Sequence, residues 1–428
     1  MDITNASRSW KKYCCSVVLM MMPIPLFAQG VAITGVGPSN RAVGGVGVAM
    51  TTDATGALHT NPATISSVEG NEADLGLEMV WMNTKLGSSL SSVGLSGEVE
   101  SSADELYVPS LGVVWGADDT DWTFGVGAFG VAGFSADYEP SATSPISAPP
   151  QFGGLGNIIG SMRMFQVVPT VAYQVSDDVS IGFAPTLSIA QVRIEPMIFG
   201  PAQPNGTYTT HVDESTTYGG GFQVGVLWKY DENIQFGGAL KSPQWFEDFD
   251  YTSMTTAGGS RSDSITIEYP MIASLGVGYS GACGWTFGVD TRYFFYSDAA
   301  GFGDAGFRPD GSSRGLGWDN VFAVAVGAEY AITDDLQWRV GYSFNENPIS
   351  AAVVSLNAGT PLIQQHGIST GFGYRLTSDT TLSLATIYVP SEKLGGPLQS
   401  PFGEVPGSEV EIEVDYSFSV AAGVSYQF

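Results

Sequence analysis

The sequence predicts an all-β protein: a transmembrane antiparallel β-barrel of about fourteen strands, with a small N-terminal hatch inside the lumen. Three observations carry that prediction. From about residue 72 onward, segments of roughly 10–16 residues alternate apolar with small or polar side chains, the period of strands rather than helices. Short and long connections then alternate strictly along the chain, as in outer-membrane barrels with short periplasmic turns and long external loops. The composition fits as well: 55 glycines and 12% aromatics accompany only 14% charged residues, well under the roughly 25% of a soluble domain. No uninterrupted apolar run of about 18 residues offers a membrane helix.

The final segment shows the alternation most clearly. Tyr416, Phe418, Val420, Ala422, Val424, Tyr426 and Phe428 fall on one face, with Ser417, Ser419, Ala421, Gly423, Ser425 and Gln427 on the other. Residues 179–190, 320–330 and 336–344 repeat the theme. Parity therefore predicts that Val324, Val340 and Val424 face lipid. It places Ala325, Gly341 and Gly423 in the lumen, where a small polar residue should be tolerated. Short turns are expected at Ala117–Asp121, Ser176–Asp178, Asp231–Asn233, Gly281–Gly284, Thr333–Asp335 and Ser378–Thr380. Long loops are expected near 87–103, 135–160, 196–213, 248–262, 298–316, 348–363 and 391–409. Seven loops and six turns require fourteen strands. A closed barrel also satisfies every backbone hydrogen bond in lipid.

Residues 1–28 read as a secretory signal, with Arg8, Lys11 and Lys12 ahead of the apolar run Val17–Phe27 and the small Ala28. Residues 29–71 are Gly- and Ala-rich and too short for a core of their own; a plug within the barrel of residues 72–428 would give them a burial partner. Cys14 and Cys15 would leave with the signal. Cys283 would then stand alone, so no internal disulfide or cysteine metal cluster is expected. The aromatic-ended last strand suits recognition by barrel-assembly machinery, and outer-membrane lipid is the expected surround.

The chemistry-bearing residues are sparse. His59, His211 and His366 lack metal-ligand spacing, and no Gly-x-Ser-x-Gly elbow occurs; neither catalysis, a metal nor a cofactor is expected. Gly44-Gly45-Val46-Gly47 lacks the βαβ context of a phosphate loop. With 43 acids against 16 bases the net charge is −27, which excludes nucleic acid as a partner. Gly125, Gly127, Gly130 and Gly133 in the third strand mark either a bulge or room for the plug. Lys241 and Arg292 are the mid-height lumen bases, candidates for a ligand carboxylate, although Asp290, two residues from Arg292 on the same face, could instead pair with it or with the plug. Two long loops carry apolar residues without an obvious core: Met197, Ile198 and Phe199, then Trp245, Phe246 and Phe249, followed by Tyr251 and Met254. They form either a capture surface for a hydrophobic small molecule or a cap packed on itself.

Residues 42–63, AVGGVGVAMTTDATGALHTNPA, resemble the N-terminal signature of the FadL/TodX family of outer-membrane transport proteins. The matching positions are Gly44, Gly45, Asp53, Ala54 and the triplet Asn61, Pro62, Ala63. Stretches 108–115, 122–134, 167–185, 221–243 and 338–349 follow in the family's order. The resemblance implies a fourteen-stranded barrel closed by a hatch. Hydrophobic substrate would be captured by external loops and released past the hatch, through a side opening at a kinked third strand near Asn61-Pro62-Ala63. The chain departs from the family at His59 and Thr60, where an aromatic residue is frequent, and at Val131, where a proline is common. The function expected is passive uptake of hydrophobic small molecules, long-chain fatty acids ahead of aromatic hydrocarbons, with a general porin or an adhesion barrel as rivals.

Overall fold

The computed structural model describes residues 29–117 and 120–428; the expected signal segment, Asp118 and Asp119 lie outside them. Fourteen antiparallel strands form the wall. They are β1 Glu72–Leu90, β2 Leu106–Gly116, β3 Trp122–Tyr138, β4 Ile158–Ser176, β5 Val179–Glu195, β6 Ser215–Lys229 and β7 Ile234–Lys241. After these come β8 Ile272–Ser280, β9 Trp285–Phe294, β10 Val321–Ala331, β11 Leu336–Asn345, β12 His366–Arg375, β13 Thr380–Val389 and β14 Ser408–Gln427. Each pairs with its chain neighbour, and β1 closes the ring on β14 from Glu72↔Gln427 upward. No helix among the described residues is long and apolar enough to cross a membrane. The wall is built of strands, whose backbone groups pair with those of their neighbours.

The short turns are built by local side chains. Asp231 Oδ1 accepts the amides of Asn233 and Ile234, both at 2.8 Å, so the chain reverses within three residues. Thr333 does the same for Asp335 and Leu336. Near these turns the outer face carries aromatic pairs, Trp122 with Tyr173 and Trp285 with Tyr330, each with ring centroids 4.6 Å apart. Such girdles sit at membrane–water interfaces.

Parity runs as the alternation predicts: Ala325, Gly341 and Gly423 point inward, with Val324, Val340 and Val424 on the other face. The expected tolerance of the two inward glycines is corrected. A Cβ on Gly341 would lie 2.0 Å from the Gly44 nitrogen, and one on Gly423 would lie 2.9 Å from the Pro38 ring. The lumen beside them is filled, so there is no room for even a methyl group.

What fills it is the segment 29–71. Helix α1 Pro38–Ala42 and helix α2 Ala54–Thr60 are joined by a glycine loop and followed by a 3-10 turn, Pro62–Ser67. Val43, Val46, Val48, Ala49 and Leu58 are wholly buried. Gly44 and Gly45 have φ of +72° and +80°, the left-handed region that favours glycine. Apolar side chains of a short segment thus gain their burial from the barrel wall rather than from a core of their own.

A hatch clamped by the wall and a window beside it

The hatch is held mainly by charged and amide side chains gripping main chain. On β9, Asp290 accepts the amides of Gly47 at 2.7 Å and Val48 at 3.0 Å. Two residues on, Arg292 donates to the carbonyl of Thr34 at 2.6 Å and to that of Gly45. On β1, Glu72 and Asp74 accept the amides of Ala54 and Thr55, both at 2.8 Å, and Glu78 pairs with Arg41 at 2.7 Å. Asp53 caps α2 by accepting from Gly56 at 2.7 Å. Three consecutive first-turn amides therefore each meet a carboxylate.

Burial pushes the Asp53 carboxyl up to about 7, with Asp74 beside it adding to the rise. A carboxyl raised in the docked hatch favours docking when protonated; this contribution is complete below about pH 4 and lost as pH rises through about 7. Exchange of the α2 amides, corrected for intrinsic rates, is expected to be slower at about pH 5.5 than at about pH 8.5. Asp53→Asn should reduce that difference. A variant retaining the full pH difference would assign the titration to another group.

Asn61, Pro62 and Ala63 are brought together with the wall, chiefly at β5 and β6. Asn61 Nδ2 donates to the carbonyls of Val48 at 2.8 Å and Val226 at 3.0 Å, while its Oδ1 accepts from Ala63 at 3.0 Å. Pro62 opens the 3-10 turn. Gly225 and Gly182 leave the space the triplet occupies: their Cβ atoms would lie 1.8 Å from Asn61 Oδ1 and 2.3 Å from the Ala63 nitrogen. The third strand is met by the residues just before the triplet. Leu58 sits over Gly125, and His59 stands edge-on to Phe129 at 5.4 Å. The His59 imidazole is pushed by burial well below its usual range and is neutral.

The four glycines of β3 divide between two tasks. Gly125 and Gly127 face inward, where Leu58 and the Phe129 ring take the room. Gly130 and Gly133 flank a bulge at Val131, where the register with β4 jumps between Gly130 and Ala132. The β2–β3 ladder ends there: Ser110↔Phe129 is its last pair, and the next β2 residue is Pro109, which has no amide to donate. Pairing resumes at the top through the amide of Ser102, which donates to Asp137 O at 2.9 Å. Between these two closures, residues 130–136 border a window of roughly 20 Å of strand. Inside it, Ile33 N donates to Val131 O at 3.1 Å and Ala32 bridges Ala132, so the start of the hatch lies along its inner edge.

A cavity of about 330 Å³ runs through the window. Its lining includes Ile33 and Ser343 in the lumen, Val108 and Gly130 at the gap, and Phe165 and Arg163 outside. A second, apolar cavity of about 70 Å³ lies among the external loops and includes Phe134, Met162, Ile198 and Phe199. Lys241 and Arg292 instead meet at a space of about 30 Å³ shared with His59 and Ile33. Arg292 is occupied by the hatch carbonyls and by Asp290 at 3.5 Å. This gives it the tether role rather than that of a free carboxylate contact. Lys241 is buried and donates to Gln166 at 3.2 Å, with no ion pair among the described residues.

The expected capture loops are partly corrected. Met197, Phe246 and Phe249 are buried, not exposed, and pack with Tyr251, Tyr269 and Trp318 in a core that caps the barrel. Trp245 is 51% exposed and pairs with Gly220, on the outward side of β6. Ile198 and Phe199 line the apolar cavity of about 70 Å³. No cluster of His, Cys, Asp or Glu among the described residues could hold a metal ion. Cys283 is exposed in the β8–β9 turn.

Several solved structures share this architecture. The P. putida toluene transporter TodX superposes with a TM-score of 0.68 at 18% identity, covering 92% of this chain and 99% of that one. A Pseudomonas aeruginosa FadL homologue gives 0.72 at 15% identity, covering 93% and 100%. The Ralstonia pickettii toluene transporter TbuX gives 0.66 at 16% identity, covering 92% and 99%. At such identities the likeness is one of fold. No curated protein matches the chain in sequence. The family model described as "Outer membrane protein transport protein (OMPP1/FadL/TodX)" matches residues 26–428, and the chain therefore belongs to this family of outer-membrane transport proteins.

Proposed function

We propose that this outer-membrane transporter passes hydrophobic small molecules by passive diffusion, long-chain fatty acids first among them, sideways between β2 and β3. The observation that carries the proposal is the cavity of about 330 Å³, bordered by lumen residues at one end and by outward-facing residues at the other. Such a volume is at the low end for a ligand pocket. The hatch occupying the lumen below argues against a general polar porin. Ile198 and Phe199, in the apolar space beneath the loops, are the capture residues, and the segment before α1 is the part of the hatch that yields. In this scheme residues 1–28 are removed on export, 29–71 are the hatch and 72–428 the barrel, inserted into lipid by assembly machinery.

Lys241 supports the fatty-acid reading. A buried ammonium with one amide partner has donors to spare, and a carboxylate would supply the missing charge. Ile33 lines both the space at Lys241 and the large cavity. A second reading, uptake of aromatic hydrocarbons, is favoured by the apolar lining and by two of the structural relatives being toluene transporters.

Binding to purified protein separates the two. Lys241→Met is expected to weaken oleate about tenfold or more, the scale of one charge-assisted hydrogen bond, with toluene little changed. Loss of both ligands alike would make Lys241 a structural residue. Undiminished oleate binding would move the head group elsewhere.

A further inference from the structure

The outer rim of the window carries a cation that the hatch does not use. Arg163 on β4 has Gly133 as its register partner on one side and Gln191 on the other. Below it on the same outward face run Phe165, Val167, Pro169 and Val171; on β5, Ile181, Phe183, Pro185, Leu187 and Ile189 run up to Gln191. Arg163 and Gln191 are thus the first polar residues above an unbroken apolar band on both strands, which sets them at the membrane–water interface. Gly133 offers no side chain to cover the guanidinium: a Cβ there would meet only the Met162 carbonyl, at 3.5 Å. The Arg163 side chain is 57% exposed, and its nearest carboxylate, Glu214, is 3.7 Å away. So long and exposed a pair is readily exchanged for another anion. Asp104 is the acid on the opposite rim.

We propose that Arg163 is the exit contact of an anionic amphiphile. It holds the carboxylate at the interface while the alkyl chain slides between β2 and β3 into the apolar layer. The window and the interface coincide in height, so a charged head group leaving this way never has to cross the hydrocarbon, where an unpaired charge is costly. A neutral hydrocarbon uses the same window without needing the contact. Arg163 then sets cargo preference at release, as Lys241 does within the lumen, and this proposal rests on the sideways passage argued above.

The test is uptake into proteoliposomes of oleate and of methyl oleate, which differ only in the charged end. Arg163→Gln is expected to lower the oleate to methyl oleate ratio about two- to fivefold, the worth of one exposed charge pair. Arg163→Lys should keep most of the ratio, and Glu214→Gln, which frees the guanidinium, should raise it. An unchanged ratio, or equal loss of both cargos, overturns the assignment. A disulfide-stapled window, Val108→Cys with Gly130→Cys, tests the passage itself. Methyl oleate uptake that survives the staple removes the passage and this proposal together, whereas uptake blocked by the staple with an unchanged ratio removes only the role of Arg163.

Discussion

Oxidised Val108→Cys/Gly130→Cys protein is expected to lose nearly all uptake, and a reductant should restore it. A Cβ on Gly130 would lie 3.8 Å from Val108 Cβ, within the span of about 3.5–4.5 Å that a disulfide bridges without moving the backbone. These residues flank the gap just above the last β2–β3 pair, so the bond would continue a ladder that Pro109 and the Val131 bulge interrupt. The Val108→Cys single variant should transport like wild type under the same oxidant, whereas Gly130→Cys alone sets a Cβ 2.8 Å from Val108 Cγ1 and is not a neutral control. Transport that persists in fully cross-linked protein would send the cargo by another route.

The second large effect is expected from filling the seat of the hatch. At Gly225 on β6 even a methyl group would collide with Asn61, and Pro62 Cδ would be 3.0 Å away. Gly225→Leu should unseat the Asn61-Pro62-Ala63 turn, because a close-packed wall cannot absorb the extra volume. In planar bilayers wild type should conduct little, and Gly225→Leu should conduct like a barrel lacking residues 29–71. Val226→Leu, one residue on and facing lipid, should behave as wild type. A folded Gly225→Leu barrel that stays closed would mean that the hatch does not seal the lumen.

What the sequence disclosed about the barrel and what it hid have separate physical causes. The strand number and faces were legible because turn length and side-chain parity are local properties. Asp231, Thr333 and the alternation through Val324 and Val340 each act within a few residues of themselves. The window was legible only through the family resemblance, which implied a side opening at the third strand; the residues alone did not show it, because a ladder's end depends on two strands at once. Val131 bulges and Pro109 lacks an amide, but only their juxtaposition makes an opening. Arg292 illustrates the same limit: its partners are carbonyl oxygens at positions 34 and 45, and a carbonyl has no residue type to read. Phe246 and Phe249 misled for another reason. Loop residues follow no period, so nothing local distinguishes a cap core from an exposed surface.

The clamp on the hatch has a consequence for the order of assembly. The hatch is the first part of the described chain, yet its seats are made by residues far later in it. Asn61 bonds Val226 across 165 residues, Arg292 reaches Thr34 across 258, and Ser369 bonds the Ala42 carbonyl across 327. Contacts closing loops of that length must wait for the strands that supply them. The earliest-made segment is therefore the last to find its place, and the barrel wall is the mould in which it sets.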